Sequence, residues 1–517
     1  MKEKNRQNRL NTDLVGKASI HSLKRMAAYL IYFALGFGVV LTASCSVGPA
    51  YRPPSIEIPC EWKNQQNRQC KEEEAQKNQE FAYLDYWWQV FDDEKLDGLE
   101  ALAIENNRDL FIAFERIQEA RALVGIAAAD FYPQATVNPL FTNTVQLNKT
   151  FRNPALTNLA NTGTAGTVGT ALGSNLFRIH EVLYSLPFNF RYEVDLWGKI
   201  RDRYRSAVYD WRAMQKDYEV VMLSLTSNLA IAYYQIRALD KQLDLLSKVI
   251  QTRQKAFNIN KDRYEGEMTT YADVTLAGEE WDAARLQYEE AARQRKIMEN
   301  EIAILLGVPA SDFSLESMPL QGSPPCIPAG IPSEVLLRRP DVAEAEYNVL
   351  SEHQQVKLAY SLFFPSLTLT ATTGFESPVL KDFLKWISRY WSNSTEIDQI
   401  VFDGGMTYYN FKLQIARFQE ASGNYQQQVL TAFQDVENAL GDLESYAKQE
   451  EIAQETVKWA QKTHALYLDR YTLGVIYYID VANTERDLLN FQIDLNALQG
   501  LRFVATIQLI RALGGGW

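Results

Sequence analysis

The hydrophobic pattern between Gly198 and Asp273 returns 207 positions later, between Gly405 and Asp480, without a gap. In the first copy Met222, Leu225, Leu229, Ala232, Ile236, Leu239, Leu243, Leu246, Ile250, Phe257 and Tyr264 keep a three-four spacing, broken only at Arg253 and Asn260. This is the seam of a coiled coil. The second copy runs from Val429, Ala432 and Val436 to Tyr467 and Tyr471, with Glu450 and His464 as its polar exceptions. Identities share the offset: Asp262-Arg263-Tyr264 with Asp469-Arg470-Tyr471, Tyr271 and Asp273-Val274 with Tyr478 and Asp480-Val481, Leu306-Gly307 with Leu513-Gly514. A period of this size in a 517-residue chain means two halves of one body.

No proline interrupts Gly198 to Tyr264, so a helix there reaches roughly 100 Å at about 1.5 Å per residue. Periodicity alone serves a solvent-exposed coiled-coil spacer as well as a helical wall or barrel. The flanks have to separate the two.

Before the first rod, Trp87, Trp88 and Phe91 form an apolar patch, and Leu99 to Ala129 reads as a helix that stops at Phe131-Tyr132-Pro133. There the period changes to two. Ala135, Val137, Pro139 and Phe141 alternate with Gln134, Thr136 and Asn138, and Leu186, Phe188, Phe190, Tyr192 and Val194 alternate with polar residues on the return. Thr142 to Asn175, a Thr, Asn, Gly and Ala tract, reads as a long exposed loop. The second half repeats the plan: a helix over Val342 to Tyr360, a stop at Phe363-Phe364-Pro365, then Leu367, Leu369 and Ala371 alternating with Ser and Thr. Its return strand is weak. Asn393 to Gln399 is polar on both faces, and only Ile400-Val401-Phe402 reads as sheet. The sequence holds no third layer to cover these apolar strand faces. A barrel in lipid satisfies both the faces and the edges, but four strands per chain are too few to close one, so several chains must share it.

The front of the chain reads as an export signal. Residues 1–44 carry seven basic and two acidic side chains, and their removal takes the net charge from −12 to −17. Lys24 and Arg25 precede an apolar run, Met26 to Leu41, ending at Thr42-Ala43-Ser44 before Cys45. The other reading is an uncleaved N-terminal anchor. Cys60 and Cys70 could close a small loop in an exported protein, leaving Cys326 over. With 52 basic against 64 acidic residues the chain is no nucleic-acid binder. No phosphate loop, zinc-type histidine pair or nucleophile elbow appears, so no cofactor, metal or catalytic residue is expected.

Two further stretches carry a resemblance. Ser44-Cys45-Ser46-Val47-Gly48-Pro49-Ala50-Tyr51-Arg52 opens the mature chain, and a Pro-rich linker from Pro319 leads into Leu336-Leu337-Arg338-Arg339-Pro340-Asp341-Val342. Together these resemble the lipoprotein branch of the outer membrane factors, the TolC-like efflux channels, from about residue 45 to the end. Locally, Asp341 and Glu344 form a capping box, with Arg338 and Arg339 as structural pairing residues. The resemblance implies a mainly α fold with membrane β: a homotrimer sharing a 12-stranded β-barrel, four strands per chain, continued by a long periplasmic α-helical coiled-coil barrel. The domains would be a signal over 1–44, a lipid-anchored segment over 45–97 with lipid on Cys45, repeats over 98–310 and 334–517, and a linker over 311–333.

The resemblance further implies that the turns at Glu265 to Ala272 and Thr472 to Ile479 are a periplasmic tip that closes the channel. By motif match Asp480 falls where the family has an inward-facing acidic ring, and Asn483 stands where a second acidic position is expected. Tyr471 and Asp273 match residues that hydrogen-bond neighbouring coils, while the expected basic latch residue is Ile476, so the charged link is missing. Tyr471 packing in the seam is the alternative. Tyr477 and Tyr478 could dock a partner hairpin. The expected function is the outer membrane channel of a tripartite efflux system, conducting small molecules with energy from an inner-membrane pump through a periplasmic adaptor protein. A type I protein secretion duct shares the architecture; a structural coiled-coil lipoprotein is the reading from another class.

Overall fold

The computed structural model describes residues 47–59, 62–63, 86–148, 177–327 and 338–515. The signal segment, Cys45, Cys60, Cys70, most of the Thr/Asn tract and the linker from 328 to 337 lie outside the described residues. In chain order the elements are α1 (Glu94–Asn106), α2 (Arg108–Ala129), β1 (Gln134–Val137), β2 (Leu140–Asn148), β3 (Phe177–Val194), α3 (Lys199–Glu265), α4 (Tyr271–Leu305), α5 (Pro340–Ser361), β4 (Ser366–Ser377), β5 (Arg389–Asp398), α6 (Met406–Thr472) and α7 (Tyr478–Ala512). No described helix is long and apolar enough to cross a membrane.

The duplication holds to the residue. Helices α3 and α6 each have 67 residues, α4 and α7 each have 35, and all four boundaries shift by the same offset. The expected single helix from Leu99 to Ala129 is corrected to two, α1 and α2, parted at Asn107. The Asn107 amide oxygen accepts from Leu110 N (2.9 Å), capping α2, while its Nδ2 donates to the Leu305 carbonyl (2.8 Å) at the end of α4. Gly307 at φ +70° passes so close that a Cβ would overlap the Asn106 carbonyl. The second repeat builds the same splice differently. Arg339 donates to the Ala512 carbonyl (3.2 Å), and Gly514 lies under Arg338. Buried Arg339 also grips Asp341 (2.6 Å) and Asp435 (3.0 Å), the expected pairing role. The expected Asp341/Glu344 capping box does not form. Asp341 lies inside α5, and its carboxylate takes Arg339, Gln428 and Val342 N instead.

Two compact units emerge. The helical unit, Tyr51–Val124, Ser206–His353 and Ala416–Trp517, holds the main core. The patch before α1 becomes its centre: Trp87 is fully buried and donates from Nε1 to Thr226 Oγ1 (3.2 Å). Phe91, Tyr234 and Phe503 stack beside it, with Tyr234 and Phe503 centroids 4.5 Å apart. Lower on the rods the core thins to small clusters, such as Leu246 with Ala291 and Leu489.

The other unit contains the described residues of Met1–Ala50, Gly125–Arg205 and Gln354–Ile415, and its centre is an antiparallel sheet. β1 and β2 both pair with β3 in one continuous register, Gln134↔Arg191 through Asn148↔Phe177, so they are one strand interrupted at Asn138-Pro139. Pro139 has no N–H for the ladder. β3 pairs with β4 (Leu186↔Phe375, Val194↔Leu367), and β4 with β5 (Phe375↔Arg389, Leu367↔Ile397). Thr142 to Asn148 are therefore strand, not loop, and the return strand is Arg389–Asp398, not Ile400-Val401-Phe402. A strand that takes its ladder from β4 needs no apolar alternation of its own.

The register sorts the faces. Val137, Phe141, Leu186, Phe188, Phe190, Val194, Leu367, Phe375 and Trp391 share one side; Asn189, Arg191, Glu193, Thr370, Thr372, Ser394 and Glu396 share the other. Several of the apolar side chains, among them Val137, Phe141, Phe188, Phe190 and Trp391, are exposed. Where helices meet strands, Trp197 stacks on Phe364 (4.9 Å) and donates to the Pro365 carbonyl (2.8 Å).

Cys326 is disulfide-bonded, which corrects the expectation that it would be left over. Spacing along the chain could not show which cysteines the fold brings together. The other three cysteines lie outside the described residues.

Candidate functional site

The two turns that end the rods have the same hydrogen bonds and different residues. In each, the last residues of the long helix close a Schellman-type cap: Met268 N to Arg263 O (2.7 Å) and Glu267 N to Tyr264 O (2.9 Å), then Val475 N to Arg470 O (3.0 Å) and Gly474 N to Tyr471 O (2.9 Å). The left-handed position is Glu267 (φ 58°) in the first turn and Gly474 (φ 74°) in the second.

Asp273 and Asp480 occupy equivalent positions in the first turn of α4 and α7. Asp273 closes a capping box, accepting from Thr269 Oγ1 (2.6 Å), Thr270 Oγ1 (2.9 Å) and Thr270 N (3.3 Å). Burial pushes its carboxyl up, but these hydrogen bonds and the Arg263 charge outweigh it and hold Asp273 below the usual range. Around Asp480 the two threonines are replaced by Ile476 and Tyr477, and α7 has no side-chain cap. Half-buried Asp480 and exposed Asn483 follow one another on α7 one turn apart.

Tyr471 does not bond to Asp273. Its hydroxyl accepts from Arg263 NH1 (2.9 Å) and donates to Asn260 Oδ1 (3.1 Å), and Asn260 in turn donates to the Ala256 carbonyl (2.9 Å). The expected hydrogen bond is corrected, because Asp273 is committed to its own helix. Position 476 is isoleucine, and the cation beside Tyr471 is Arg263 of the first repeat, which the sequence reading did not name as its partner. Burial raises the Tyr471 phenol even though Arg263 opposes it.

Tyr478 is only 6% exposed, packed with Ala277 and Ala482 and 5.7 Å from the Tyr471 ring. It cannot be a docking surface in this conformation. Tyr477, 76% exposed, presents its ring to solvent. The equivalent first-repeat pair, Tyr264 and Tyr271, has its rings 5.4 Å apart but lies exposed.

Further up the rods lies a network the sequence reading missed. Arg253, 3% exposed, pairs with Glu280 (3.0 Å), donates to the Glu280 carbonyl (2.8 Å) and faces Glu485 (3.7 Å). Arg486 also pairs with Glu280. Burial raises the Glu485 carboxyl, with Glu280 adding to the effect and Arg253 opposing it. A signal for these residues was present: every polar exception in the two seams makes a tie. Arg253 binds Glu280, Asn260 binds Tyr471, Glu450 binds Arg502 and Gln499, and His464 lies 3.3 Å from Thr484. Each costs apolar packing in the coil and gains a register-fixing polar contact. Among the described residues no group of three His, Cys, Asp or Glu side chains could hold a metal.

The arrangement is two helical hairpins tied by buried polar contacts. It is a device that holds two coils together. The sequence profile for "Outer membrane efflux protein" matches residues 99–308 and 331–515. The pyoverdine export outer membrane protein OpmQ of Pseudomonas aeruginosa is 26% identical over 479 residues, 92% of this chain and 95% of that protein. The cation efflux system protein CusC of Escherichia coli is 26% identical over 496 residues, 93% of this chain and 98% of that protein. In fold, the chain is similar to the Campylobacter jejuni CmeC outer membrane channel, with a TM-score of 0.80 at 24% identity, covering 92% of this chain and 95% of that one.

Proposed function

This chain belongs to the outer membrane efflux protein family, and from that premise we propose that it is the passive outer membrane channel of a tripartite efflux system, active as a homotrimer. The observation that carries this is the sheet: one apolar face without cover among the described residues, one polar face, and an unpaired edge at each side. Lipid suits the apolar face, and the polar face suits a water-filled lumen. With β1 and β2 counted as one strand, each chain brings four, and three chains bring the twelve that close a barrel. A coiled-coil spacer has no use for such a sheet.

In this reading residues 45–97 are the lipid-anchored segment, with lipid on Cys45, and 98–310 and 334–517 are the two repeats joined by the linker. The paired turns are the periplasmic gate: Asp480 sets the charge at the constriction, Asn483 leaves the next ring neutral, Tyr471 supports closure through Arg263 and Asn260, and Asp273 caps the first-repeat turn. Tyr477 offers the docking contact for the adaptor, which couples the channel to an inner-membrane pump. Small molecules are the cargo, by analogy with what the relatives are named for.

The test is the mass of the purified protein in detergent together with conductance in planar bilayers. A trimer giving small cation-selective steps is the expected result. A monomer without conductance would overturn the reading in favour of the spacer.

A further inference from the structure

At the end of the sheet remote from the helices, β5 begins with Arg389, paired with Phe375, which is paired with Leu186. This register puts an arginine on the apolar face. On β4 and β5 that face runs from Leu367 and Ile397 to Phe375 and Arg389, eight residue steps or about 26 Å along the strand at about 3.3 Å per step, while on β2 and β3 it continues past Leu186 to Tyr184 and Phe141. Arg389 therefore stands at the end of the apolar face on the β4–β5 side of the sheet.

Beside it is a groove of about 630 Å³ whose lining includes Phe188, Phe375, Trp386, Arg389 and Trp391. The guanidinium carbon of Arg389 lies 3.5 Å from the Trp386 ring centroid, and no carboxylate among the described residues forms an ion pair with it. The preceding segment exposes Leu380, Leu384, Trp386 and Ile387, alongside Lys381 and Lys385. Only Lys385 is neutralised, by Asp382 at 2.6 Å. Aromatic side chains with free cations at the edge of an apolar band match a lipid whose chains are apolar and whose head is anionic. A free phosphate ion would have no use for the groove.

We propose that this groove is a binding site for a phosphate-bearing lipid of the outer leaflet, an acyl chain lying along Phe188 and Trp391 and the phosphate pairing with Arg389. The proposal rests on the membrane reading of the sheet. Trp386 holds the guanidinium at the rim by a cation–π contact, so the cation is aimed before the lipid arrives. A planar guanidinium grips a phosphate with two parallel hydrogen bonds, which an ammonium cannot reproduce.

The test places the full-length protein in phosphatidylcholine nanodiscs doped with lipid A, or with the same lipid stripped of its phosphates, and counts retained lipid by native mass spectrometry. The wild type should retain lipid A over both the stripped form and phosphatidylcholine. Arg389→Gln should weaken that retention about tenfold, equivalent to about 1.4 kcal/mol, with Arg389→Lys in between and inorganic phosphate unable to displace the lipid. Equal retention by Arg389→Gln and wild type, or displacement by inorganic phosphate, overturns the site while leaving the membrane reading intact. Failure of the wild type to enter the disc overturns both.

Discussion

The Tyr471 hydroxyl takes a 2.9 Å hydrogen bond from the Arg263 guanidinium, 208 positions earlier in the chain. The bond joins the long helix of one repeat to that of the other near their turns. Tyr471→Phe keeps the ring and its packing on Tyr478, but strips buried Asn260 of a donor and Arg263 of an acceptor. A loss of about 1–3 kcal/mol at this contact is expected. In bilayer recordings the variant should leak more through the closed pore; unchanged closed-state current would show that Tyr471 only packs.

Asp273 and Asp480 are equivalent by the repeat but differently engaged, so their asparagine variants should separate. Asp273→Asn weakens a capping box and should cost about 1 kcal/mol in thermal unfolding with little change in selectivity. Asp480→Asn should leave stability nearly unchanged and lower cation selectivity, read as reversal potential in a salt gradient. The opposite pattern would reverse the two roles.

Burial pushes the Glu344 carboxyl up to about 7, with Asp217 and Asp341 adding to the effect against a hydrogen bond with Asn348. A carboxyl raised on folding favours the folded state below its unfolded value. That contribution is lost as pH rises from about 4.5 through about 7. Glu344→Gln should therefore gain stability relative to wild type at pH 8 and flatten the dependence across this window. Parallel melting curves for the two proteins from pH 5 to 8 would refute the assignment.

Glu267 holds the left-handed position that glycine fills in the second turn. Glu267→Gly should raise the melting temperature by relieving up to about 1 kcal/mol of backbone strain, and Gly474→Ala should lower it by a similar amount. A destabilised Glu267→Gly would mean that the glutamate side chain supplies a contact worth more than the strain.

Much of this was legible because repetition amplifies weak signals. The rods and their turns follow from hydrophobic spacing that occurs twice, and α3 and α6 start and stop at equivalent residues. The break at Asn107 was not legible, because Asn is an ordinary residue in a polar helical stretch until Leu305 and Gly307 are brought beneath it. Asp341 looked like a cap because its sequence neighbours fit one, whereas Arg339, Gln428 and Asp435 reach it through folding. β5 was misplaced because its pairing depends on the β4 backbone and not on its own side chains. At the tip, the sequence suggested Tyr471 and Asp273 but not Arg263, since the partner of a seam tyrosine is set by how the two coils face each other.

The interruption at Asn138-Pro139 has a meaning for the lone chain on its way to the membrane. In the proposed trimer each chain meets its neighbours along the two margins of its sheet, and before that an unbroken outer strand would be a template for chance pairing with any similar chain in transit. The break at Asn138-Pro139 interrupts one margin, and the opposite margin, β5, carries Glu396 and Asp398. Two such margins gain little from meeting in a shifted alignment, where the gap and the charges fall against the wrong residues. The correct alignment then wins by comparison, so the flaw in the strand acts as a proofreading mark for assembly.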